Sequence, residues 1–174
     1  QIDNLRHDRW RWRSRFRCVL MQTAPAPILV LGLGNDILTD DAIGLNVVHH
    51  LARQFDGSEE VDVRETMEMG LALLDFMVGF RDVIIVDSIQ TGTAPPGTIH
   101  QVDAHAIQCL PERTPHFLGV GETLALGRML GLPMPERVHV FAIEVADPFT
   151  LGTEMTEPLQ RALPTVISTV AAAV

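Results

Sequence analysis

The sequence predicts an α/β fold, a three-layer α/β/α sandwich around a twisted, mostly parallel five-stranded sheet. Three observations lead to this prediction. From residue 27 onward, short apolar runs typical of strands alternate with segments whose apolar positions recur at helical spacing. The run 82–87 is apolar at every interior position, as expected of a strand covered by helices on both faces. The length of 174 residues suits one domain with a sizeable core.

The first half of the alternation contains three predicted strands and two predicted helices. An apolar run ends in a Gly/Asn turn and is followed by a long segment with apolar residues at helical spacing. A short alternating segment, a Leu-rich segment and the apolar run described above come next. The predicted strands are 27–33, 61–64 and 82–87, and the predicted helices are 41–55 and 70–77.

The second half begins with a loop rich in Thr, Gly and Pro at 91–97. A strand is predicted at 98–102, and 104–118 is expected to be mostly irregular because it lacks periodicity. The remaining elements are a helix at 121–130, a strand at 137–143 and a terminal helix at 154–174. We expect Pro164 to interrupt that last helix, since proline removes a backbone donor.

Residues 1–26 differ from the single domain predicted for 27–174. Six of the 13 Arg lie between Arg6 and Arg17, where they alternate with aromatic residues. One interpretation is an arm that binds a membrane surface or a partner. The other is a disordered extension, or sequence upstream of a natural start at Met21, because basic runs are often solvated tails.

The charge and cysteine content exclude several classes of protein. The chain has no Lys, and from Met21 onward 7 Arg face 20 Asp plus Glu, a formal net charge of 7 − 20 = −13. Such an acidic body argues against nucleic-acid binding, which needs clustered cations. No apolar run is long enough to insert into a membrane. Cys18 and Cys109 do not form a disulfide framework, which favours a reducing, cytoplasmic location.

Three polar positions at predicted strand ends and in a nearby loop form the candidate site. The acidic pair Asp40-Asp41 follows the first strand, Asp87 ends the third, and His116 lies in a Pro-containing loop. If the first and third strands are neighbours, Asp41 and Asp87 converge at one sheet edge, where His116 can close the site. Two carboxylates and an imidazole are a plausible ligand set for a divalent metal, and the imidazole favours nickel, zinc or copper over magnesium.

Each of these residues also has a purely structural interpretation. Acids at a helix start commonly cap the helix, and we assign that role to Asp40 and the ligand role to Asp41. An Asp at a strand end, such as Asp87, often only anchors a loop through backbone N–H groups. A loop histidine such as His116 is usually a surface or hydrogen-bonded residue. The three positions together favour the metal interpretation.

The same residues resemble a known family. The segment 32–44 (Gly-x-Gly-Asn-x-x-x-x-Asp-Asp-x-x-Gly), the strand ending in Asp87 and the segment 115–119 (Pro-His-x-x-Gly) are similar to motifs of the nickel–iron hydrogenase maturation endopeptidases. The resemblance spans about residues 27–165, with the motifs in the family's order. It does not include residues 1–26.

The resemblance implies a cytoplasmic, monomeric protease with an α/β/α fold. Such a protease removes the C-terminal extension of the hydrogenase large-subunit precursor after nickel insertion. Carried over by position, Asp41, Asp87 and His116 would recognise the metal and serve catalysis. We hypothesise that they complete the coordination of nickel carried by the substrate rather than hold a permanent metal, although other divalent metals can occupy such a site. The alternative function is a non-catalytic nickel-binding chaperone or scaffold.

One segment departs from the family pattern. Many members have an Asp-Gly-Gly-Thr type of loop after the second strand, whereas this chain has Glu-Thr-Met-Glu-Met-Gly at 65–70. This departure concerns which hydrogenase is the substrate rather than the activity. Met67 and Met69 could shape a groove for the precursor, but core packing is the expectation that we adopt for them.

Overall fold

A computed structural model of the protein describes residues 28–103 and 120–174. The predictions for residues 1–26, for the segment 104–118 and for His116 lie outside the described residues. The described elements are β1 (Ile28–Leu33), α1 (Ile43–Gln54), β2 (Val61–Thr66), a 3-10 turn (Gly70–Ala72), α2 (Leu73–Met77), β3 (Asp82–Ile89), β4 (Ile99–Asp103), α3 (Val120–Met129), β5 (Arg137–Glu144) and α4 (Glu157–Ala171).

The five strands form one sheet in the order β2-β1-β3-β5-β4. β1 pairs in parallel with both β2 and β3, and β3 pairs in parallel with β5. β4 alone among these strands runs antiparallel, along β5. The prediction of a mostly parallel five-stranded sheet is confirmed, and so is the expected neighbourhood of the first and third strands.

Helices cover both faces of the sheet. Residues of α2 and α3 contribute to a core on one face, and residues of α1 and α4 contribute to a core on the other. All eight residues of β3 are buried between these two layers, which explains the uninterrupted apolar run in its sequence. The predicted three-layer α/β/α arrangement is therefore confirmed.

Two local predictions are wrong. Helix α4 is continuous from Glu157 to Ala171 and contains Pro164, so the expected interruption does not occur. Its buried residues Leu159, Val166 and Val170 belong to a core with α1, and this packing stabilises the helix despite the missing backbone donor.

The methionines after β2 do not pack in the core. Met67 is 59% exposed and Met69 is 48% exposed. They follow the end of β2 in an irregular segment rather than in a helix, so no periodic apolar face turns them inward. The expectation of core packing for both residues is therefore wrong.

The strand order fixes where a ligand can bind. β1 lies between β2 and β3, and the chain passes from β1 through α1 to β2 on one side, while β3 lies on the other. Open parallel sheets bind ligands outside the carboxyl ends of two neighbouring strands, at the point where the strand order reverses. The ends of β1 and β3 are the position that the sequence predicted for Asp41 and Asp87.

Within residues 28–103 and 120–174, no helix is both long enough and apolar enough to cross a membrane.

Candidate active site

Close backbone contact sets the position of α1 against the sheet. A Cβ built on Gly44, in the first turn of α1, would overlap the backbone oxygens of Leu33 and Val86. A Cβ on Gly32 would in turn overlap the backbone oxygen of Gly44. These two glycines therefore allow the start of α1 to lie directly on the ends of β1 and β3.

A third glycine brings the acidic pair back over the strand end. Gly34 has a φ of +147°, a value that side chains disfavour, and a Cβ at this position would overlap the backbone oxygen of Asp41. The turn between β1 and α1 is thereby folded tightly enough to bury Asp41, which is 5% exposed. The glycines of the sequence motif thus have a structural explanation in the close approach of the turn and α1 to the strand ends.

Asp41 and Asp87 meet through Ser88. Asp87 is fully buried near the end of β3, and its Oδ1 accepts a 2.7 Å hydrogen bond from the backbone N–H of Ser88. The Ser88 hydroxyl donates a 2.6 Å hydrogen bond to Asp41 Oδ1. Because consecutive side chains of a strand point to opposite faces, Ser88 reaches the α1 side while Asp87 points to the other. The structure therefore brings two of the three predicted site residues to one sheet edge.

His116 lies outside the described residues, so its place relative to Asp41 and Asp87 stays a prediction. Among residues 28–103 and 120–174, no group of three or more His, Cys, Asp or Glu side chains has the arrangement of a metal site. Asp41 and Asp87 thus supply the two buried carboxylates of the predicted site. Buried carboxylates of this kind can bind a cation or stabilise positive charge on a substrate.

Asp40 does not cap α1, so that prediction is wrong. The residue before α1 is Ala42, and no side chain caps the helix. The fully buried Asp40 carboxylate turns instead toward the loop between β5 and α4. It accepts hydrogen bonds from the backbone N–H groups of Ala146, Asp147 and Thr156 and from the Thr156 hydroxyl, at 2.7–3.1 Å. Asp40 therefore joins two loops at the carboxyl edge of the sheet.

A further buried carboxylate, Glu144, was missed by the sequence analysis. It is 1% exposed at the end of β5 and accepts hydrogen bonds from the N–H groups of Thr91 and Gly92, the Thr91 hydroxyl and His100 Nε2. Burial raises the pKa of Glu144, but these hydrogen bonds outweigh it and leave that pKa below its ordinary value. Glu144 follows an apolar strand as Asp87 does, so the same rule could have found it.

Comparison with known proteins decides the family. The family model for hydrogenase maturation proteases matches residues 45–173. The chain belongs to the hydrogenase maturation protease family. The matched range includes Asp87 and Ser88, whereas Asp41 and the glycine turn lie just before it.

Curated relatives of this family share between a quarter and a third of their aligned residues with the chain. It is similar to the hydrogenase 2 maturation protease of Escherichia coli (strain K12), with 33% identity over 60% of this chain and 65% of that protein. It is also similar to the hydrogenase expression/formation protein HupD of Rhizobium leguminosarum bv. viciae, with 28% identity over 83% of this chain and 73% of that protein. The first alignment thus spans slightly less than two thirds of the relative's length.

Solved structures of the family have the same fold. The hydrogenase maturating endopeptidase HybD from E. coli superimposes with a TM-score of 0.74 and 26% identity, covering 84% of this chain and 91% of that one. The [NiFe] hydrogenase maturation protease HybD from Thermococcus kodakarensis gives a TM-score of 0.65 at 23% identity, covering 84% of this chain and 98% of that one. The second likeness supports the fold alone. The resemblance inferred from the sequence motifs is confirmed.

Proposed function

We propose that this protein is an endopeptidase that removes the C-terminal extension of the nickel–iron hydrogenase large-subunit precursor after nickel has been inserted. Membership of the hydrogenase maturation protease family supports a peptidase that acts on a hydrogenase. The observation that carries the proposal is the pair of buried carboxylates, Asp41 and Asp87, which Ser88 joins at the ends of β1 and β3. We further propose that the protein acts as a monomer in the cytoplasm.

In this proposal Asp41, Asp87 and His116 bind the nickel that the precursor carries. Carboxylate and imidazole donors suit a first-row divalent metal, and three protein donors leave positions for the precursor's own ligands. A substrate metal in this place can polarise the scissile carbonyl or a water molecule. These three residues would hold the metal next to the scissile bond. Recognition of the metal would restrict cleavage to precursors that already contain nickel.

The proposed reaction is hydrolysis of one peptide bond. The oxygen of water forms a new bond to the carbonyl carbon, the carbon–nitrogen bond breaks, and the leaving amine takes up a proton. The two carboxylates are buried at the carboxyl edge of the sheet, the edge from which an extended peptide would approach them. We assign Asp41 and Asp87 to the site that binds the metal beside this bond.

The test compares nickel-loaded and nickel-free precursor by mass after incubation with the purified full chain. We expect the loaded precursor to lose its C-terminal extension and the nickel-free precursor to stay intact. Binding of the loaded precursor without a change in its mass would overturn the proposal and favour the nickel-binding scaffold.

Substitutions separate the site from the rest of the protein. Asp41→Asn, Asp87→Asn and His116→Ala should each reduce cleavage of loaded precursor by at least about a hundredfold, since each removes a metal donor or a charge beside it. Asp56→Asn, at an exposed position after α1, is the matched control and should cleave normally. Normal cleavage by all three site variants would contradict the assignment of these residues.

A further inference from the structure

The exposed apolar side chains of the described residues are not spread evenly over the surface. Eight large apolar side chains are exposed in this part of the chain, and two of them, Met129 and Leu130, lie at the end of α3. The other six lie in loops that follow the carboxyl ends of parallel strands. We call these six the carboxyl-edge rim: Ile37, Met67, Met69, Leu71, Phe149 and Leu151.

The strand order places Asp41 and Asp87 between two parts of this rim. Met67, Met69 and Leu71 follow β2, the outermost parallel strand on one side. Phe149 and Leu151 follow β5, on the other side of β1 and β3. Along the edge, the methionine-rich loop after β2 comes first. The ends of β1 and β3, with Asp41 and Asp87, follow. The loop that carries Phe149 and Leu151 comes last.

Hydrogen bonds hold the second part of the rim in place. Leu38 forms an antiparallel bridge with Leu151. The N–H of Gly152 donates to Ile37 O at 3.0 Å, and the N–H of Thr39 donates to Thr150 O at 3.0 Å. Ile37 and Leu151 are thus exposed on a paired backbone that Asp40 also braces. Large apolar side chains that lie close together in contact with water are typical of a surface that binds a partner.

The charges in these loops are of one sign. The segments 34–41, 65–72 and 145–156 contain no Lys and no Arg. Their acidic residues are Asp36, Asp40, Asp41, Glu65, Glu68, Asp147 and Glu154. Asp40 and Asp41 are buried, and the other five acids make this surface negative, so that it attracts a partner that carries positive charge and repels an acidic one.

We propose that the carboxyl-edge rim binds an extended segment of the precursor in which apolar residues alternate with Lys or Arg. This inference rests on the proposed function and extends it to the chemistry of the substrate. Three strand spacings separate β2 from β5, about 14 Å in total. An extended chain covers that distance in about four residues. The bound segment would therefore contact both parts of the rim while its middle lies over Asp41 and Asp87.

The test measures binding and cleavage of nickel-loaded precursor by the full chain and by rim variants. The double variants Met67→Gln/Met69→Gln and Phe149→Gln/Leu151→Gln keep exposed side chains of similar reach and remove their apolar character. Each should raise the Kd for the precursor by at least about tenfold, because the loss of even one buried apolar contact has an effect of that size. Met129→Gln/Leu130→Gln, which changes the exposed apolar residues outside the rim, should leave Kd unchanged.

A charge variant tests the second half of the proposal. Glu68→Gln, in the methionine-rich loop, should weaken binding at low salt and reduce the dependence of binding on salt concentration. Glu59→Gln, at an exposed position before β2 and away from the carboxyl edge, is the matched control. Circular dichroism of each variant checks that the fold is retained.

Different outcomes overturn different statements. If the wild-type chain binds and cleaves the precursor while the rim variants do so equally well, this inference is wrong and the proposed function stands. If the wild-type chain neither binds nor cleaves it, both are wrong. If the wild-type chain is a dimer that Met67→Gln/Met69→Gln converts to monomers, the rim is a contact between copies and this inference is overturned.

Discussion

The Ser88 hydroxyl donates a 2.6 Å hydrogen bond to Asp41 Oδ1 and so joins the end of β3 to the turn before α1. The backbone N–H of the same serine binds Asp87 Oδ1. One residue therefore orients both carboxylates of the candidate site, through two different groups. Both bonds are short, at 2.7 and 2.6 Å, and they restrict the movement of the acids.

Replacement of Ser88 tests this positioning role. Ser88→Ala removes the donor to Asp41 and should lower the free energy of unfolding by about 1.5–3 kcal/mol, the range for a hydrogen bond to a charged group. Cleavage of loaded precursor should fall by at least about tenfold, mainly in kcat, because Asp41 is no longer held in place. Urea denaturation and single-turnover cleavage measure the two effects.

Ser88→Thr keeps the hydroxyl and serves as the matched variant. If the role of Ser88 is to position Asp41, the threonine variant should recover most of the cleavage rate that Ser88→Ala loses. Equal activity in the wild type and Ser88→Ala would show that the hydrogen bond has no part in cleavage.

Two glycine substitutions test the backbone contact between α1 and the sheet. Gly44→Ala places a methyl group against the backbone oxygens of Leu33 and Val86, so we expect a loss of more than about 3 kcal/mol in the free energy of unfolding. Gly121→Ala in α3, where no described atom lies within 4 Å of the new Cβ, should be neutral or should stabilise by about 0.5 kcal/mol. Thermal and urea denaturation measure the stability of both variants. Equal stability of Gly44→Ala and Gly121→Ala would contradict a close backbone contact at Gly44.

Asp40 is expected to be essential for stability. Asp40→Asn replaces one acceptor oxygen by an N–H donor opposite the donors of Ala146, Asp147 and Thr156, which should cost about 2–3 kcal/mol. Asp36→Asn, at an exposed position in the same turn, should change stability by less than about 0.5 kcal/mol. Denaturation midpoints compare the two, and a midpoint for Asp40→Asn close to that of Asp36→Asn would contradict the assigned role.

Asp82, at the start of β3, should make stability depend on acidity. Arg137 donates to both of its oxygens at 2.6 and 2.8 Å and lowers the pKa of Asp82 against the effect of burial, and Arg81 adds a third bond, so that this pKa is about 2. Because the folded-state pKa lies below the ordinary value, the stabilisation is complete above about pH 4 and is lost as the pH falls through 2. We expect about 1–2 kcal/mol, because both arginines are partly exposed to solvent.

The measurement for Asp82 is a series of urea denaturations between pH 5 and pH 2. Asp82→Asn should lower stability at pH 5 and flatten the decline toward pH 2 relative to the wild type. Asp56→Asn is again the exposed control. A decline of the same steepness in the wild type and Asp82→Asn would exclude Asp82 as its source.

The sequence predicted the sheet and the place of the acids because those depend on local pattern. The apolar run of β3 and the periodic apolar residues of α1 are independent of distant contacts, so their positions differ by only a few residues from those observed. The role of Asp40 could not be predicted in the same way, since its donors are more than 100 positions away in the loop before α4. The bond from Ser88 to Asp41 likewise required knowledge of which strands are adjacent.

Pro164 and Met67 illustrate opposite failures of local rules. Local propensity disfavours proline inside a helix, yet the packing of α4 against the sheet outweighs that preference. Apolar character favours burial of Met67, yet its side chain is 59% exposed, and no element among residues 28–103 and 120–174 buries it. For Pro164, tertiary contacts add stability that the local sequence does not reveal. For Met67, the apolar composition suggests tertiary contacts that the described residues do not supply.

The glycine contact between α1 and the sheet fixes the position of Asp41 relative to Asp87 independently of substitutions on the outer surface of α1. Because Gly32 and Gly44 meet through main-chain atoms, the distance between helix and strand at this point is set by the backbone rather than by the outward-facing side chains of α1. Residues on the outer surface of α1 can therefore be substituted, in evolution or by design, without displacing Asp41. Homologues that differ widely in sequence could in this way preserve one geometry, provided that these small residues remain.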